Sequence, residues 1–310
     1  MANILITGGT GMVGRALTQV LIAKGHQVVI LTRNPKSSDQ PNISYCQWDI
    51  PNGTIDPQAI GQADHIIHLA GAGVADKRWN KARKKEILDS RVQSGELLVH
   101  ALKTIPNKVQ SLVSASGIGW YGPDTAKSLD KGFMEDAPAD KAFLGETCRL
   151  WENAIKPVEA LGKKLVIFRF GIVLSNDGGA MIEFKKPVKF GIATILGSGK
   201  QVISWIHIND LCNLLIQSLD DQQFNGIYNA VAPETVTNKE FMLTLAKKMK
   251  GSFFLPFHVP AFLLKLVLGE MSIEVLKSAK VNSFKVQSAG FKYAYPTVDL
   301  ALEELVQSSK

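Results

Sequence analysis

The residues with the clearest chemistry stand in a glycine-rich loop at residues 7–14, directly after a short apolar segment at residues 3–7. In such a loop Gly8 permits a tight turn, Gly11 lets the backbone approach a diphosphate, and Gly14 allows close packing of helix on strand. The free N–H groups and partial positive charge at the start of the following helix favour a bound phosphate. The run predicts a dinucleotide-binding loop. A nucleoside-triphosphate P-loop is excluded because no Gly-Lys-Ser/Thr follows.

The end of the second predicted strand distinguishes between two dinucleotides. NAD-binding proteins place an acid there to accept hydrogen bonds from the ribose hydroxyls. Here the strand ends in Leu31-Thr32-Arg33-Asn34, and no acid occurs before Asp39. A guanidinium suits a 2′-phosphate because its planar donors match phosphate oxygens. We therefore predict NADP(H) rather than NAD, with a solvated turn as the alternative role for Arg33.

Apolar segments alternate with helical patterns through much of the chain. Buried strands are predicted near residues 28–31, 64–69, 109–114 and 164–169, and helices at 80–103 and 147–155. This alternation predicts an α/β fold of the Rossmann type, with a doubly wound parallel sheet. We expect an NADP-binding domain from residues 1–175 plus about 205–230, and a smaller, mainly helical substrate and C-terminal domain from about 176–204 plus 231–310.

The composition is that of a globular protein, with 310 residues, 45% hydrophobic and 20% charged. Cys46, Cys148 and Cys212 show neither a CxxC nor a zinc-binding spacing, so we expect no disulfide framework, no metal and a cytoplasmic location. The net charge of +7 comes with no nucleic-acid-binding motif. No apolar stretch is long enough to span a bilayer and no signal peptide precedes the first strand, so neither a nucleic acid nor a membrane is an expected partner.

Further motifs extend along the chain and resemble a single family. They are Arg78-Trp79, Asp89-Ser90-Arg91, Ser114-Ala115-Ser116, Tyr121-Gly122, Arg169-Phe170-Gly171, Ser204-Trp205-Ile206-His207, Asn209-Asp210-Leu211, Leu268-Gly269-Glu270-Met271 and Tyr295-Pro296-Thr297. With the glycine loop, they resemble the extended short-chain dehydrogenases/reductases of the epimerase/dehydratase branch. Within that branch the whole chain resembles the "epimerase family proteins", which have a small C-terminal domain and carry an older label as cell-division inhibitors.

The resemblance implies which positions hold the cofactor. With the loop and strand-end residues above, the implied set is Gly8, Thr10, Gly11, Met12, Val13, Gly14, Thr32, Arg33, Asp49, Ile50, Leu69, Ala70, Gly71, Ala72 and Ser114. By the same resemblance, Asp49 and Ile50 would contact the adenine, and residues 70–72 would line the path of the ribose and diphosphate. Ser114 and Ser116 would lie beside the nicotinamide. A homodimer is also implied by resemblance alone.

The catalytic pattern of that family is incomplete in this chain. Its members use a serine with a Tyr-x-x-x-Lys pair, in which the lysine ammonium lowers the pKa of the phenol so that it can exchange a proton. Ser116 matches the serine, whereas Leu144 and Cys148 occupy the Tyr and Lys positions when Glu152 is aligned with the acid that often follows the motif. Tyr121 is the candidate for a displaced phenol, with a packed tyrosine as the alternative. We interpret Cys148 as a buried hydrophobic residue.

These observations leave three functional hypotheses. The first is an NADP-dependent oxidoreductase or epimerase that acts on an unidentified small polar substrate without the usual Tyr-x-x-x-Lys pair. The second is a non-catalytic NADP(H)-binding sensor or regulatory protein, which the missing pair favours. The third is a partner in cell division, and only the older family label supports it.

Overall fold

The computed structural model describes residues 1–308. The strands are β1 Asn3–Thr7, β2 Gln27–Thr32, β3 Ile43–Asp49, β4 Thr54–Ile55, β5 His65–His68, β6 Ser111–Gly117, β7 Lys164–Phe170, β8 Ile172–Leu174, β9 Ile192–Leu196, β10 Val202–Ile203, β11 Trp205–His207, β12 Gly226–Ala230, β13 Val236–Thr237 and β14 Leu255–Val259. The helices are α1 Met12–Ala23, α2 Pro57–Gln62, α3 Lys81–Thr104, α4 Ala126–Lys131, α5 Phe143–Ile155, α6 Ala180–Lys189, α7 Ile208–Asp220, α8 Asn238–Lys250, α9 Ala261–Leu268, α10 Ser272–Leu276, α11 Phe284–Ser288 and α12 Val298–Gln307.

The largest element is an eight-stranded sheet with the order β12-β7-β6-β5-β1-β2-β3-β4. Every neighbouring pair in it is parallel except β3 and β4, which are antiparallel. The order runs outward from β1 in both directions, so consecutive crossovers place helices on both faces. The predicted α/β class with a doubly wound sheet is confirmed.

Alternate side chains of β1 supply the two hydrophobic cores, because successive residues of a strand point to opposite faces. Ile4 and Ile6 pack in one cluster with apolar residues of α1 and α7. Leu5 packs in the other with residues of α2 and α3. The carboxyl end of β1 is thereby held between two packed layers, and the glycine loop begins at that end.

A third core lies among the elements that follow β8. It includes Trp205, Phe241 and Leu302, which come from β11, α8 and α12. The short strand pairs β8–β11, β10–β13 and β9–β14 accompany these helices, and helices are the main elements of the part that follows residue 230, as the predicted fold class has it. The domain boundaries at residues 175, 205 and 231 stay a prediction. Within residues 1–308, no helix is both long and apolar enough to cross a membrane.

Candidate functional site

The glycine loop has the geometry that a bound diphosphate requires. Gly8 has a φ of 71°, and a Cβ there would lie 2.8 Å from the carbonyl carbon of Leu69. A Cβ at Gly14 would lie 2.4 Å from the Gly8 carbonyl oxygen, whereas one at Gly11 would meet that oxygen at 3.3 Å. Gly11 is also the N-cap of α1, where no side chain accepts from the first N–H groups. Those groups are therefore available to a phosphate.

A turn at residues 176–179 covers the same loop. A Cβ at Gly178 would lie 3.3 Å from the Met12 sulfur, so the turn approaches α1 closely where Gly178 and Gly179 lack side chains. Arg15 of α1 donates through Nη2 to the Asp177 carbonyl oxygen at 3.4 Å. Neither Arg15 nor the turn at residues 176–179 was predicted to belong to the site, although two adjacent glycines were a signal for a close backbone approach.

Arg33 follows β2 and has an exposed side chain. It makes no hydrogen bond or ion pair with any residue in the range 1–308. The acid that feels its charge is Glu86 of α3, whose pKa is lowered chiefly by a hydrogen bond from Arg83 and to a smaller extent by Arg33. Because Glu86 is already paired with Arg83 at 2.7 Å, the Arg33 guanidinium stays available to an external anion.

Asp49 is the last residue of β3 and Ile50 follows it, and their contact with the adenine stays a prediction. The Asp49 carboxylate accepts hydrogen bonds from Asn52, at 3.2 Å from the backbone nitrogen and 2.8 Å from Nδ2. It therefore closes a turn. Ile50 is half-buried against the core of the α2–α3 face.

A chain of hydrogen bonds fixes the start of the β5 exit, the segment of residues 69–72 that follows β5. The Thr7 hydroxyl accepts from the backbone nitrogens of Leu69 and Ala70, both at 3.2 Å. Its own proton is then directed to Nδ1 of His68 at 2.7 Å, which leaves the ring proton on Nε2, 3.4 Å from the Ser94 hydroxyl. Burial lowers the pKa of His68 to about 3, with a smaller contribution from a nearby arginine. A neutral, fixed imidazole thus holds the segment predicted to line the ribose path.

Arg91 of α3 lies against this exit and is a residue that sequence analysis missed. Its Nη1 donates to the carbonyl oxygens of Ala72 at 2.9 Å and Ile87 at 2.8 Å. A Cβ at Gly71 would lie 3.1 Å from its Cζ, so a side chain at position 71 would force the guanidinium to shift. The guanidinium also lies 4.9 Å from the centre of the Trp151 ring. The motif Asp89-Ser90-Arg91 was visible in the sequence, but the sequence alone did not show what Arg91 does.

Arg91 also lies beside the position of the missing lysine. Trp151 and Cys148 are both buried on α5 and are three residues apart, so they share one helix face. Charge on Arg91 lowers the pKa of the Cys148 thiol, but burial dominates and raises it to about 11. The chain therefore places a cation from α3 next to the point where the family has one from α5.

The hydroxyl of Ser116 is part of a buried ionic network. It donates to Oε1 of Glu152 at 2.8 Å. The same carboxylate pairs with Arg169, through Nε at 2.8 Å and Nη2 at 3.0 Å. Glu152 and Arg169 are 5% and 1% exposed, so the pair is shielded from solvent. This contact directs the Ser116 proton inward.

Tyr121 is 0% exposed and belongs to the same network. Its hydroxyl donates to Oδ1 of Asn229 at 2.7 Å and accepts from Nη1 of Arg169 at 3.0 Å. Burial raises the pKa of this phenol to about 12. The structure joins Ser116 to Tyr121 through Glu152 and Arg169, and it gives the tyrosine a packed position. The catalytic assignment of both residues stays a prediction.

The positions of the missing pair are filled by packing. A Cβ at Gly119 would lie 3.1 Å from Cβ of Leu144, and the Cys148 sulfur lies 3.5 Å from the Gly117 carbonyl oxygen. Ser114 is fully buried in β6, where its hydroxyl donates to the Ala115 carbonyl oxygen at 3.2 Å. Within residues 1–308, no group of three or more His, Cys, Asp or Glu side chains could hold a metal ion.

The sheet order, the glycine loop and the open helix N-terminus define a Rossmann-type dinucleotide-binding protein. A family model described as "NAD dependent epimerase/dehydratase family" matches residues 4–142, and a "Domain of unknown function (DUF1731)" matches residues 259–305. The chain is 39% identical to epimerase family protein SSP1921 of Staphylococcus saprophyticus over 308 residues, which cover 99% of this chain and 100% of that protein. It is 35% identical to epimerase family protein YfhF of Bacillus subtilis over 309 residues, 99% of each.

Among solved structures, the human epimerase family protein SDR39U1 (isoform 2) with NADPH aligns with a TM-score of 0.86 and 32% identity, over 98% of this chain and 99% of that one. The chain belongs to the NAD-dependent epimerase/dehydratase family, and within it to the epimerase family proteins. It is an atypical extended short-chain dehydrogenase/reductase that binds a nicotinamide dinucleotide.

Proposed function

We propose that the chain binds NADP(H) and acts as an oxidoreductase or epimerase on a small polar substrate. One observation carries the choice of cofactor: the exposed side chain of Arg33, at the end of β2, is unpaired within residues 1–308, while Glu86, the acid whose pKa it helps to lower, is paired with Arg83. A 2′-phosphate is the anion whose geometry such a guanidinium matches. The human relative solved with NADPH supports the same choice.

Different residues of the site bind different parts of the cofactor. The glycine loop and the α1 N-terminus hold the diphosphate, Arg33 pairs with the 2′-phosphate, and residues 70–72 line the ribose. Arg91 donates to the nicotinamide ribose through Nε and Nη2, which make no hydrogen bond within residues 1–308. The nicotinamide, when bound, supplies or accepts a hydride. Since Leu144 replaces the usual phenol, the proton is exchanged by Tyr121 or by a group of the substrate.

Isothermal calorimetry of the two cofactors tests the assignment. Wild-type protein should bind NADPH at least tenfold more tightly than NADH, a difference of about 1.4 kcal/mol. Arg33→Asp should abolish or invert this preference, because a carboxylate repels the 2′-phosphate and accepts hydrogen bonds from the ribose hydroxyls of NADH. Lys36→Asp is the matched control, since it makes the same charge change at an exposed site nearby. Equal affinities in the wild-type protein would contradict the proposal.

A non-catalytic NADP(H) sensor is the second candidate, and the inward-directed hydroxyl of Ser116 favours it. Absorbance at 340 nm with sugar nucleotides and simple carbonyl compounds separates the two. Turnover with any of them supports an enzyme, whereas tight NADPH binding with no turnover supports a sensor. The predicted homodimer and cytoplasmic location stay proposals.

A further inference from the structure

The parallel pair β9–β14 has one uncovered apolar face. Leu255 lies in register with Ile192, so their side chains share that face, and they are 75% and 40% exposed. The alternate residues of β9, Ala193 and Ile195, are 0% and 1% exposed because they pack on the opposite side. The β9 side chains on one side of this ribbon are therefore core, whereas the side that Ile192 and Leu255 share presents apolar side chains to solvent.

The apolar surface extends beyond the ribbon. Its members, each more than a third exposed, are Ile182, Phe190, Ile192, Phe253, Leu255, Phe257, Phe262, Leu263, Leu266 and Val267. Phe190 and Phe253 are 85% and 87% exposed. Phe190 lies two residues before Ile192, and Phe253 lies two residues before Leu255, the register partner of Ile192. Only Leu264 is buried in α9, which follows β14 directly. Scattered exposed apolar residues are common, but these ten are confined to two segments, 182–192 and 253–267, which the β9–β14 pair brings together, and such a concentration marks an interaction surface.

The same segments are strongly basic. Residues 180–200 and 245–268 contain a single acid, Glu183, and eight lysines: Lys185, Lys186, Lys189, Lys200, Lys247, Lys248, Lys250 and Lys265. Lys189 immediately precedes Phe190, and Lys250 stands three residues before Phe253. Neither lysine side chain makes a hydrogen bond or ion pair in the described range 1–308. The most exposed phenylalanines are thus each accompanied by an unpaired cation.

We propose that this face binds the surface of an anionic lipid bilayer, with the apolar side chains in the acyl region and Lys189 and Lys250 at the headgroups; Lys185 is buried, and Lys186 and Lys248 are paired within the protein. Aromatic and aliphatic residues flanked by lysines are the chemistry of interfacial membrane binding. Anionic headgroups attract each nearby lysine. This proposal replaces the expectation that no membrane is a partner, which concerned spanning segments, and it does not depend on the proposed function.

Two other occupants fit less well. A second copy of the chain would bring the same lysines together, and their positive charges would repel each other. It also could not readily add a strand to β14: Leu255 donates inward to the Gly191 carbonyl oxygen, so Pro256 faces outward and has no N–H to offer. A single-stranded nucleic acid prefers stacked aromatics and arginine, whereas half of this surface is aliphatic and no arginine follows Arg169.

Vesicle co-sedimentation of the full chain tests the proposal. Vesicles of phosphatidylglycerol and phosphatidylcholine should bind the protein, and vesicles of phosphatidylcholine alone should bind it at least about tenfold more weakly. Two double variants, Phe190→Ser with Phe253→Ser and Lys189→Glu with Lys250→Glu, should each reduce binding at least about tenfold. All four side chains lie at the surface, so the fold should persist, as NADPH binding or circular dichroism would show.

The matched control for the phenylalanines is Leu129→Ser, at a leucine that is 53% exposed. The matched control for the lysines is the double variant Lys24→Glu with Lys127→Glu, because Lys24 at the end of α1 and Lys127 in α4 are both exposed. They should leave vesicle binding unchanged. Three results would overturn the proposal: no binding of the wild-type protein to anionic vesicles, a dimer in ultracentrifugation that the Phe190→Ser, Phe253→Ser variant dissociates, or preferential binding of single-stranded oligonucleotides through the same residues.

Discussion

Ser116 donates its hydroxyl proton to Glu152 at 2.8 Å, and the acceptor carboxylate is itself paired with Arg169 in the protein interior. The serine that relatives use at the reacting centre is therefore held by a buried ion pair. A bidentate carboxylate–guanidinium contact is geometrically specific, and removal of one partner leaves an uncompensated buried charge. This arrangement makes the network a structural element whose loss we can measure separately from catalysis.

Glu152→Gln should lower the free energy of unfolding by about 3–5 kcal/mol, because the Arg169 charge would lose its partner in a desolvated site. Urea unfolding followed by circular dichroism measures the difference. Glu146→Gln is the matched control on the same helix. Glu146 pairs with Arg149 at 2.5 Å, but both side chains are more than two-fifths exposed, so its loss should cost less than about 1 kcal/mol. Equal effects of the two substitutions would contradict this account.

Two glycines of the loop should respond differently to substitution. Gly11→Val should abolish NADPH binding while the protein stays folded, because a Cβ there meets only one atom within 4 Å yet stands where the diphosphate would approach. Gly14→Ala should instead destabilise the fold by about 1–3 kcal/mol, since its Cβ would overlap the Gly8 carbonyl oxygen at 2.4 Å. Calorimetric titration and urea unfolding separate the outcomes. Normal NADPH binding by Gly11→Val would mean that the phosphates lie elsewhere.

Local patterns explain why the sheet and the glycine loop could be predicted from sequence. Strand alternation and the positive φ of Gly8 are local properties of the chain. The buried position of Tyr121 could not be predicted from the sequence, because it depends on a hydrogen bond to Asn229, 108 residues away. Arg91 was missed for a related reason: its contacts with the β5 exit and with Trp151 exist only after α3 and α5 pack together.

Arg91→Met should weaken NADPH binding at least tenfold and leave the binding of adenosine 2′,5′-bisphosphate unchanged. The reason is that this ligand lacks the nicotinamide ribose to which we assign the guanidinium. Calorimetry with both ligands measures the two affinities, and Lys103→Met, at an exposed site on the same helix, is the control. If Arg91 only supports the backbone at residues 71–72, both ligands should weaken together or neither should change.

His68 should make stability depend on pH below its ordinary pKa of about 6.5. The folded ring has a pKa of about 3, so between these values the unfolded chain binds a proton that the folded chain does not. Stability attributable to His68 therefore falls as pH decreases, by up to about 1.4 kcal/mol per pH unit, and is constant above pH 6.5. Urea unfolding at pH 7, 5.5 and 4.5 should show a smaller slope in His68→Gln than in wild-type protein. The exposed His100→Gln control should retain the wild-type slope.

Any turnover should be slow, because Leu144 and Cys148 cannot replace the proton donor and its cation, and loss of general acid–base catalysis costs about 10²–10⁴ in rate. Cys148→Ser should leave the rate nearly unchanged, since burial raises the thiol pKa to about 11 and the sulfur only packs against residues 117–119. Residual activity should fall in Ser116→Ala and in Tyr121→Phe, and it should do so with NADPH affinity intact if these residues act in catalysis. Steady-state oxidation of NADPH at 340 nm measures all four proteins. Turnover at ordinary dehydrogenase rates that collapses in Cys148→Ser, with the fold and NADPH affinity preserved, would place the chemistry at the thiol instead.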